Sequence, residues 1–195
     1  APTESQVTES TEKMGSPHDL VLNLPPTSED EERTVSAKLP AKAGERPTKP
    51  FTFDIPIVRN TAVDRWIEYF TGRGRANFEI WLSRGGRYIK RFRKIFKDNN
   101  LPQDLAYLSL IESGFSLRAR SRAGAVGPWQ FMPATARRCG LKINNYIDER
   151  RHPIKATNAA VYLLSALYKE FGHWDLALAA YNSGENRVRR ALRKS

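Results

Sequence analysis

The sequence has one cysteine, Cys139, and only three histidines, which lie far apart along the chain. An intrachain disulfide is therefore impossible, and no cluster has the ligand spacing of a zinc site. No uninterrupted apolar run reaches about eighteen residues, so no transmembrane segment is predicted. A glycine-rich phosphate loop after a strand and a serine nucleophile motif are also absent. We expect neither a metal nor a cofactor.

The first fifty residues lack aromatic side chains. All twenty Phe, Trp and Tyr residues lie after residue 50, whereas seven of the twelve prolines lie before residue 51. Residues 1–50 carry nine acidic and six basic side chains, for a net charge of −3. Such a segment cannot bury enough apolar surface to offset the entropy of ordering. Residues 1–50 are therefore predicted to form a disordered, Pro-rich tail or linker.

The rest of the chain is strongly basic, with twenty-six Lys and Arg against twelve acids, a net charge of +14. This charge favours an anionic partner, which could be nucleic acid, an anionic lipid surface or an acidic polymer. Several cations crowd one predicted helix and could form a nucleic-acid patch, but we favour a solvated helix face because no nucleic-acid-binding motif accompanies them. These cations are Arg84, Arg87, Lys90, Arg91, Arg93, Lys94 and Lys97.

Apolar side chains recur with helical spacing over most of the basic part, and no useful alternating run occurs, which predicts an all-α fold. Three helical patterns precede residue 100 and end at 71–74, 85–86 and 99–100. A short helix is expected from Pro133 to Gly140, and the strongest pattern runs over 156–171. Residues 174–181 are so apolar that they predict a buried helix. Residues 115–131 are predicted as a loop with small strand pieces at most.

Glu112 is the most informative residue because it ends an almost wholly apolar stretch. Pro102 suits the start of a helix, and Gly114 suits a left-handed stop. With 100° per residue, Leu101, Leu105 and Glu112 fall on one stripe of that helix. A carboxyl in this position is poorly solvated, which raises its pKa and lets it carry a proton near neutral pH. Such a group is suited to general acid catalysis.

Three motifs around Glu112 resemble those of the lytic murein transglycosylases, which carry an SLT domain. The sequences are ESGF at residues 112–115, SRAGAVGPWQFMPATA at 121–136 and AAYNSG at 179–184. They occur in the order and at the spacing of that family. The resemblance covers about residues 55–192 and is strongest to the membrane-bound lytic transglycosylase D type. Pro128 is a departure, since the family usually has Leu there.

The resemblance implies a lysozyme-like (goose-type) helical domain. Together with the composition break after residue 50, it divides the chain into the tail at 1–50, an N-terminal helical segment at 51–100 that packs on the catalytic domain, and the SLT domain at 101–195. It also implies a bacterial periplasmic or cell-envelope location. Peptidoglycan glycan strands are the expected partner, nucleic acid is not, and the tail could contact a cell-envelope protein.

The resemblance further implies cleavage of the β-1,4 bond between N-acetylmuramic acid and N-acetylglucosamine, leaving 1,6-anhydromuramoyl ends. Glu112 would act as the acid and then as the base, so that one carboxyl replaces the usual pair. Asp148 and Glu149 are predicted to form a structural ion-pair loop instead of supplying a second acid. The alternatives are a lysozyme-type muramidase and a cell-wall-binding module without catalysis. The expected substrate-binding residues are Ser121, Gly127, Gln130, Met132, Tyr181 and Asn182, with Phe131 beside Met132 as an apolar contact.

Overall fold

The computed structural model describes residues 53–194, and the predicted tail at 1–50 lies outside this range. The described residues form eight α-helices joined by loops and two short 3-10 turns, with no extended strand among them. The all-α prediction is therefore confirmed. The helices are α1 Thr61–Thr71, α2 Arg75–Gly85, α3 Ile89–Asp98, α4 Leu108–Ser113, α5 Pro133–Arg138, α6 Pro153–Phe171, α7 Trp174–Ser183 and α8 Glu185–Leu192; the turns are Gln103–Tyr107 and Glu149–Arg151.

Most helix ends lie where the sequence predicts them. The side chain of Asn60 caps α1 by accepting a hydrogen bond from the Val63 amide at 3.0 Å. Gly114 ends α4 with φ 57°, and Gly172 ends α6 with φ 73°, both in the left-handed region that glycine tolerates. These stops fix the directions in which the chain enters the following loops.

Two expectations about individual helices are only partly met. The segment before Glu112 begins as a 3-10 turn over Gln103–Tyr107 and becomes α-helical only at Leu108. The helix predicted at 174–181 exists, but only Ala177 and Ala180 in it are buried, so the prediction that it is a buried helix was wrong. Apolar composition identified that helix without revealing how many of its sides are covered.

The core forms around α6 and α3. Leu164 on α6 and Phe92 and Phe96 on α3 are completely buried, and Trp129 from the loop between α4 and α5 lies against them. The ring centroid of Trp129 is 5.6 Å from that of Phe92 and 5.7 Å from that of Phe96. The loop that carries the predicted site is therefore anchored in the hydrophobic core.

The N-terminal helices reach the same region through Trp81 on α2. A β-carbon at Gly114 would lie 2.5 Å from Cδ1 of Trp81, so this indole lies directly against the backbone that ends α4. Trp81 is 3% exposed and also meets the ring of Phe70 on α1 edge-on. Through this contact α2 supports the end of the helix that carries Glu112.

Candidate active site

Glu112 lies in the last turn of α4, and only 7% of it is exposed. Ser109 and Ser113, which flank it on the helix, are buried as well. A carboxyl that is nearly but not completely withdrawn from water can still meet a substrate. The predicted location of Glu112 at the end of an apolar segment is confirmed.

The loop over residues 121–131 is fastened to α4 at Pro128. The carbonyl oxygen of Pro128 accepts two hydrogen bonds, from Oγ of Ser109 at 3.0 Å and from Oγ of Ser113 at 2.9 Å. These serines are four residues apart and so lie on one face of the helix. Pro128 is buried and has no N–H that needs a partner, so proline is well suited to this position.

Trp129 is held at both its side chain and its backbone. Its indole Nε1 donates to Oγ1 of Thr157 on α6 at 3.0 Å, and its carbonyl oxygen accepts from the hydroxyl of Tyr181 on α7 at 2.7 Å. Buried indole and phenol groups of this kind need such partners. Both bonds fix the backbone next to Gln130, the third predicted site residue in this loop.

Tyr181 is electrostatically coupled to Glu112. Burial, together with the negative charge of Glu112, raises the pKa of Tyr181 well above its ordinary value of 10. The phenol therefore stays protonated at neutral pH and remains a hydrogen-bond donor to Trp129. The structure thus brings residues 112, 129 and 181 together from three separate parts of the sequence.

Gln130 has a left-handed backbone, with φ 48°, which is uncommon for a residue other than glycine. Its Nε2 donates to the carbonyl oxygen of Gly127 at 2.8 Å. This bond orients the side chain and leaves its amide oxygen available as an acceptor. Gln130 is half-buried, and a non-glycine residue held in this backbone conformation is a feature that clusters at functional sites.

Gly127 is required by a different contact from the predicted one. Its φ is 84°, and a β-carbon there would lie 1.9 Å from the carbonyl oxygen of Arg150. The sequence analysis assigned this glycine to close approach of a sugar, whereas the close approach in the structure is by the backbone of Arg150.

Arg150 holds two parts of the 121–131 loop at once. Its Nη1 donates to the carbonyl oxygens of Gly124 at 3.1 Å and Phe131 at 3.0 Å, while its Nε and Nη2 bind both carboxylate oxygens of Asp148. Glu149 forms an ion pair with Lys155. The prediction that Asp148 and Glu149 form a structural ion-pair loop is confirmed.

Acidification should weaken this support, because hydrogen bonds from Arg150 hold the pKa of Asp148 below its ordinary value of 3.8. A carboxylate of this kind contributes stability that is complete above its unfolded-state pKa and is lost as the pH falls through its folded-state pKa. We expect Asp148→Asn to lower the Tm near neutral pH and the difference to shrink below about pH 4. Thermal melts of both proteins across this range measure it, and a pH-independent difference would contradict the prediction.

The remaining predicted residues differ in exposure. Ser121 is half-buried, and its Oγ accepts from the amide of Ala125 at 3.0 Å, which leaves its own O–H free to donate. Met132 and Asn182 are exposed at the edges of α5 and α7. Phe131 is only 2% exposed and lies near the Tyr181 ring, so the expectation that it presents a face to a sugar was wrong.

A cavity of about 310 Å³ lies beside this group, between α5, α6, α7 and α8. Tyr181 forms part of its wall, whereas Glu112 does not line it. Tyr181 therefore lines the cavity and also interacts electrostatically with Glu112.

Sequence reasoning missed several residues that support the site. Ser109, Arg150 and Thr157 each hold the loop through a hydrogen bond to a residue nineteen to twenty-eight positions away. For Ser109 and Thr157 the signal in the sequence was a polar side chain within a largely apolar helical segment, whereas nothing marked Arg150 as a support of the loop. Among residues 53–194, no group of three or more His, Cys, Asp or Glu could hold a metal ion, and no helix is long and apolar enough to cross a bilayer.

The chain is similar to several proteins over about half of its length. It is 44% identical over 98 residues to membrane-bound lytic murein transglycosylase D of Escherichia coli (strain K12), covering 50% of this chain and 22% of that protein. It is 44% identical over 94 residues to a protein of Alteromonas sp. (strain M-1) named for tributyltin chloride resistance, covering 48% and 45%. It is 37% identical over 104 residues to peptidoglycan transglycosylase gp16 of Escherichia phage T7, covering 52% and 8%.

The matched part spans less than half the length of each of these relatives. The family model that describes the transglycosylase SLT domain matches residues 91–195, which is more than half of the chain. These residues include most of α3, the helix of Glu112, the 121–131 loop and Tyr181. The chain therefore belongs to the transglycosylase SLT domain family, whose lysozyme-like helical fold it shares.

Proposed function

We propose that this protein is a peptidoglycan lytic transglycosylase, with Glu112 as its catalytic residue. The observation that carries the proposal is the placement of one nearly buried carboxyl beside a rigidly held loop and the phenol of Tyr181. Membership of the SLT family and the names of two relatives, a murein and a peptidoglycan transglycosylase, support the same substrate. A glycan strand of alternating N-acetylmuramic acid and N-acetylglucosamine is the proposed substrate, and the cell envelope is the proposed location.

The reaction needs one proton-carrying group if the sugar itself supplies the nucleophile. Protonated Glu112 donates its proton to the glycosidic oxygen as the bond from that oxygen to C1 of the muramoyl sugar breaks. The resulting carboxylate accepts the proton of the C6 hydroxyl while O6 bonds to C1. The products are a free hydroxyl on the leaving sugar and a 1,6-anhydromuramoyl end, and no water is consumed. Acid and base are the same carboxyl in two steps.

The two acids beside Arg150 in the sequence are consistent with a mechanism that uses a single carboxyl. Glycosidases of the usual kind place two carboxyls across the bond. Asp148 is bound through both oxygens to Arg150, and Glu149 is bound to Lys155. Each is committed to an ion pair, so neither is available to activate a water molecule.

The proposed substrate contacts are uncharged groups around Glu112. The O–H of Ser121, the amide oxygen of Gln130 and the exposed amide of Asn182 can bind N-acetyl and hydroxyl groups without adding a competing charge. Exposed Met132 offers an apolar contact for a sugar face. Gly127 and Tyr181 contribute by shaping the loop and by donating to its backbone.

Product analysis tests the proposal. Purified sacculi are digested with the protein, and the released muropeptides are analysed by mass spectrometry before and after borohydride reduction. Anhydro ends, which resist reduction and lack the mass of one water, are the expected product. Reducing ends would instead identify a muramidase, and binding without release would identify a cell-wall-binding module.

A further inference from the structure

The outer face of α3 carries an unusual density of positive charge. The helix Ile89–Asp98 contains five Lys and Arg and one acid, for a net charge of +4 over ten residues. Lys90, Lys94 and Lys97 are all exposed and recur at helical spacing, so they form one stripe roughly 10 Å long. Exposed Arg84 and Arg87 continue the charge just before the helix.

Little negative charge offsets this stripe. The ion pair between Lys94 and Asp98 is the one that α3 makes among the described residues, and both partners are well exposed, so it is weak. Arg93 is half-buried, and its Nε is buried without a hydrogen-bond partner in the described part of the chain.

A groove of about 440 Å³ runs along this face. It is lined by the three lysines of the stripe, Arg93, Asp98 and Gln103. Four of its six lining residues are cations, which suits a phosphate group held by several donors.

We propose that the outer face of α3 binds the surface of an anionic phospholipid bilayer, with lipid phosphates seated in this groove. Cations near such a surface are attracted additively, without a defined ligand geometry. The aromatic residues of this segment are unavailable for stacking on bases, because Phe92 and Phe96 are buried and Tyr88 is half-buried against Phe92. Recognition of charge without base contacts favours a lipid surface over single-stranded nucleic acid.

The proposed contact also orients the molecule. Phe92 and Phe96 point from α3 toward Trp129, which lies in the loop of the candidate site. The lysine stripe lies on the opposite side of the same helix. A bilayer against the stripe therefore leaves the 121–131 loop on the far side of α3, where a polymer can reach it. This inference does not depend on the proposed enzymatic function.

Vesicle co-sedimentation tests the proposal. Vesicles of phosphatidylcholine alone are compared with vesicles of equal parts phosphatidylcholine and phosphatidylglycerol. The expected result is binding to the anionic vesicles only, weakened by added salt. The triple variant Arg87→Gln/Lys90→Gln/Lys97→Gln should lose on the order of 10²-fold in affinity, which corresponds to about 1 kcal/mol for each cation.

A matched variant distinguishes binding by this face of α3 from a general attraction by the net charge of the domain. Arg187→Gln/Arg190→Gln/Arg193→Gln removes three exposed cations from the region of α8 and should retain the affinity of the unchanged protein. Circular dichroism and Tm establish that both variants fold. Equal losses in the two variants, no binding to anionic vesicles, or tighter binding to a duplex oligonucleotide through the same face would each overturn the proposal.

Discussion

Glu112→Gln should abolish turnover while leaving the fold intact. Glutamine has nearly the same shape but can neither donate an acidic proton nor accept one, and loss of acid–base function alone costs on the order of 10²- to 10⁴-fold in rate. The residue is nearly buried and fixed at the end of α4, so an isosteric replacement avoids a cavity. Release of muropeptides from sacculi, measured as an initial rate, gives the size of the effect.

The matched control is Glu149→Gln, the same substitution at another buried glutamate. It breaks the ion pair with Lys155 and should lower the Tm while leaving the type of product unchanged. Binding to sacculi should persist in Glu112→Gln. Full activity in that variant would remove Glu112 from the mechanism, whereas equal losses in both variants would indicate a structural role for each carboxyl.

Gly127→Ala should be the most destabilising single change in the loop. The new β-carbon would lie 1.9 Å from the Arg150 carbonyl oxygen, and the backbone would keep a φ of 84° that alanine rarely adopts. The clash would be between the β-carbon of residue 127 and a backbone oxygen, so it cannot be relieved by rotating a side chain. We expect a loss of about 3–5 kcal/mol in the free energy of unfolding, measured by urea denaturation, and a large loss of activity as Gln130 is displaced.

Gly124→Ala provides the comparison for this prediction. Gly124 lies in the same loop with φ 91°, but no atom lies within 4 Å of its added β-carbon. Only backbone strain remains in Gly124→Ala, so we expect its free energy of unfolding to fall by only about 1 kcal/mol. If the two variants are equally stable, the contact with Arg150 is not what constrains the loop.

Seven of the eight helices in the described residues were predicted because local sequence marks where they end, whereas α8 at Glu185–Leu192 was not predicted. Gly114 and Gly172 take the left-handed conformation that ends a helix, and Pro153 takes the first position of α6. The 3-10 turn at Gln103–Tyr107 could not be predicted, because its apolar spacing also fits an α-helix. The exposure of α7 depends on which neighbours cover it, which a pattern within the helix does not contain.

The candidate site was predictable only in part. Glu112 stood out through its position at the end of an apolar segment, and the loop residues through their resemblance to a family. The support of the loop by Arg150 was not predicted, because an arginine in the charged run 148–151 gives no sign that it binds backbone carbonyls nineteen and twenty-six residues away. Phe131 was misassigned because no periodicity tells which side of an irregular loop faces inward.

The bond between Tyr181 and the Trp129 carbonyl has a consequence for biosynthesis. It joins residues fifty-two positions apart, so the loop cannot reach its final form until the chain has been synthesised beyond α7. Closing such a long segment slows folding relative to the local helices. A nascent chain that contains Glu112 but not yet Tyr181 therefore lacks the finished loop, and the site forms only after α7 has been made.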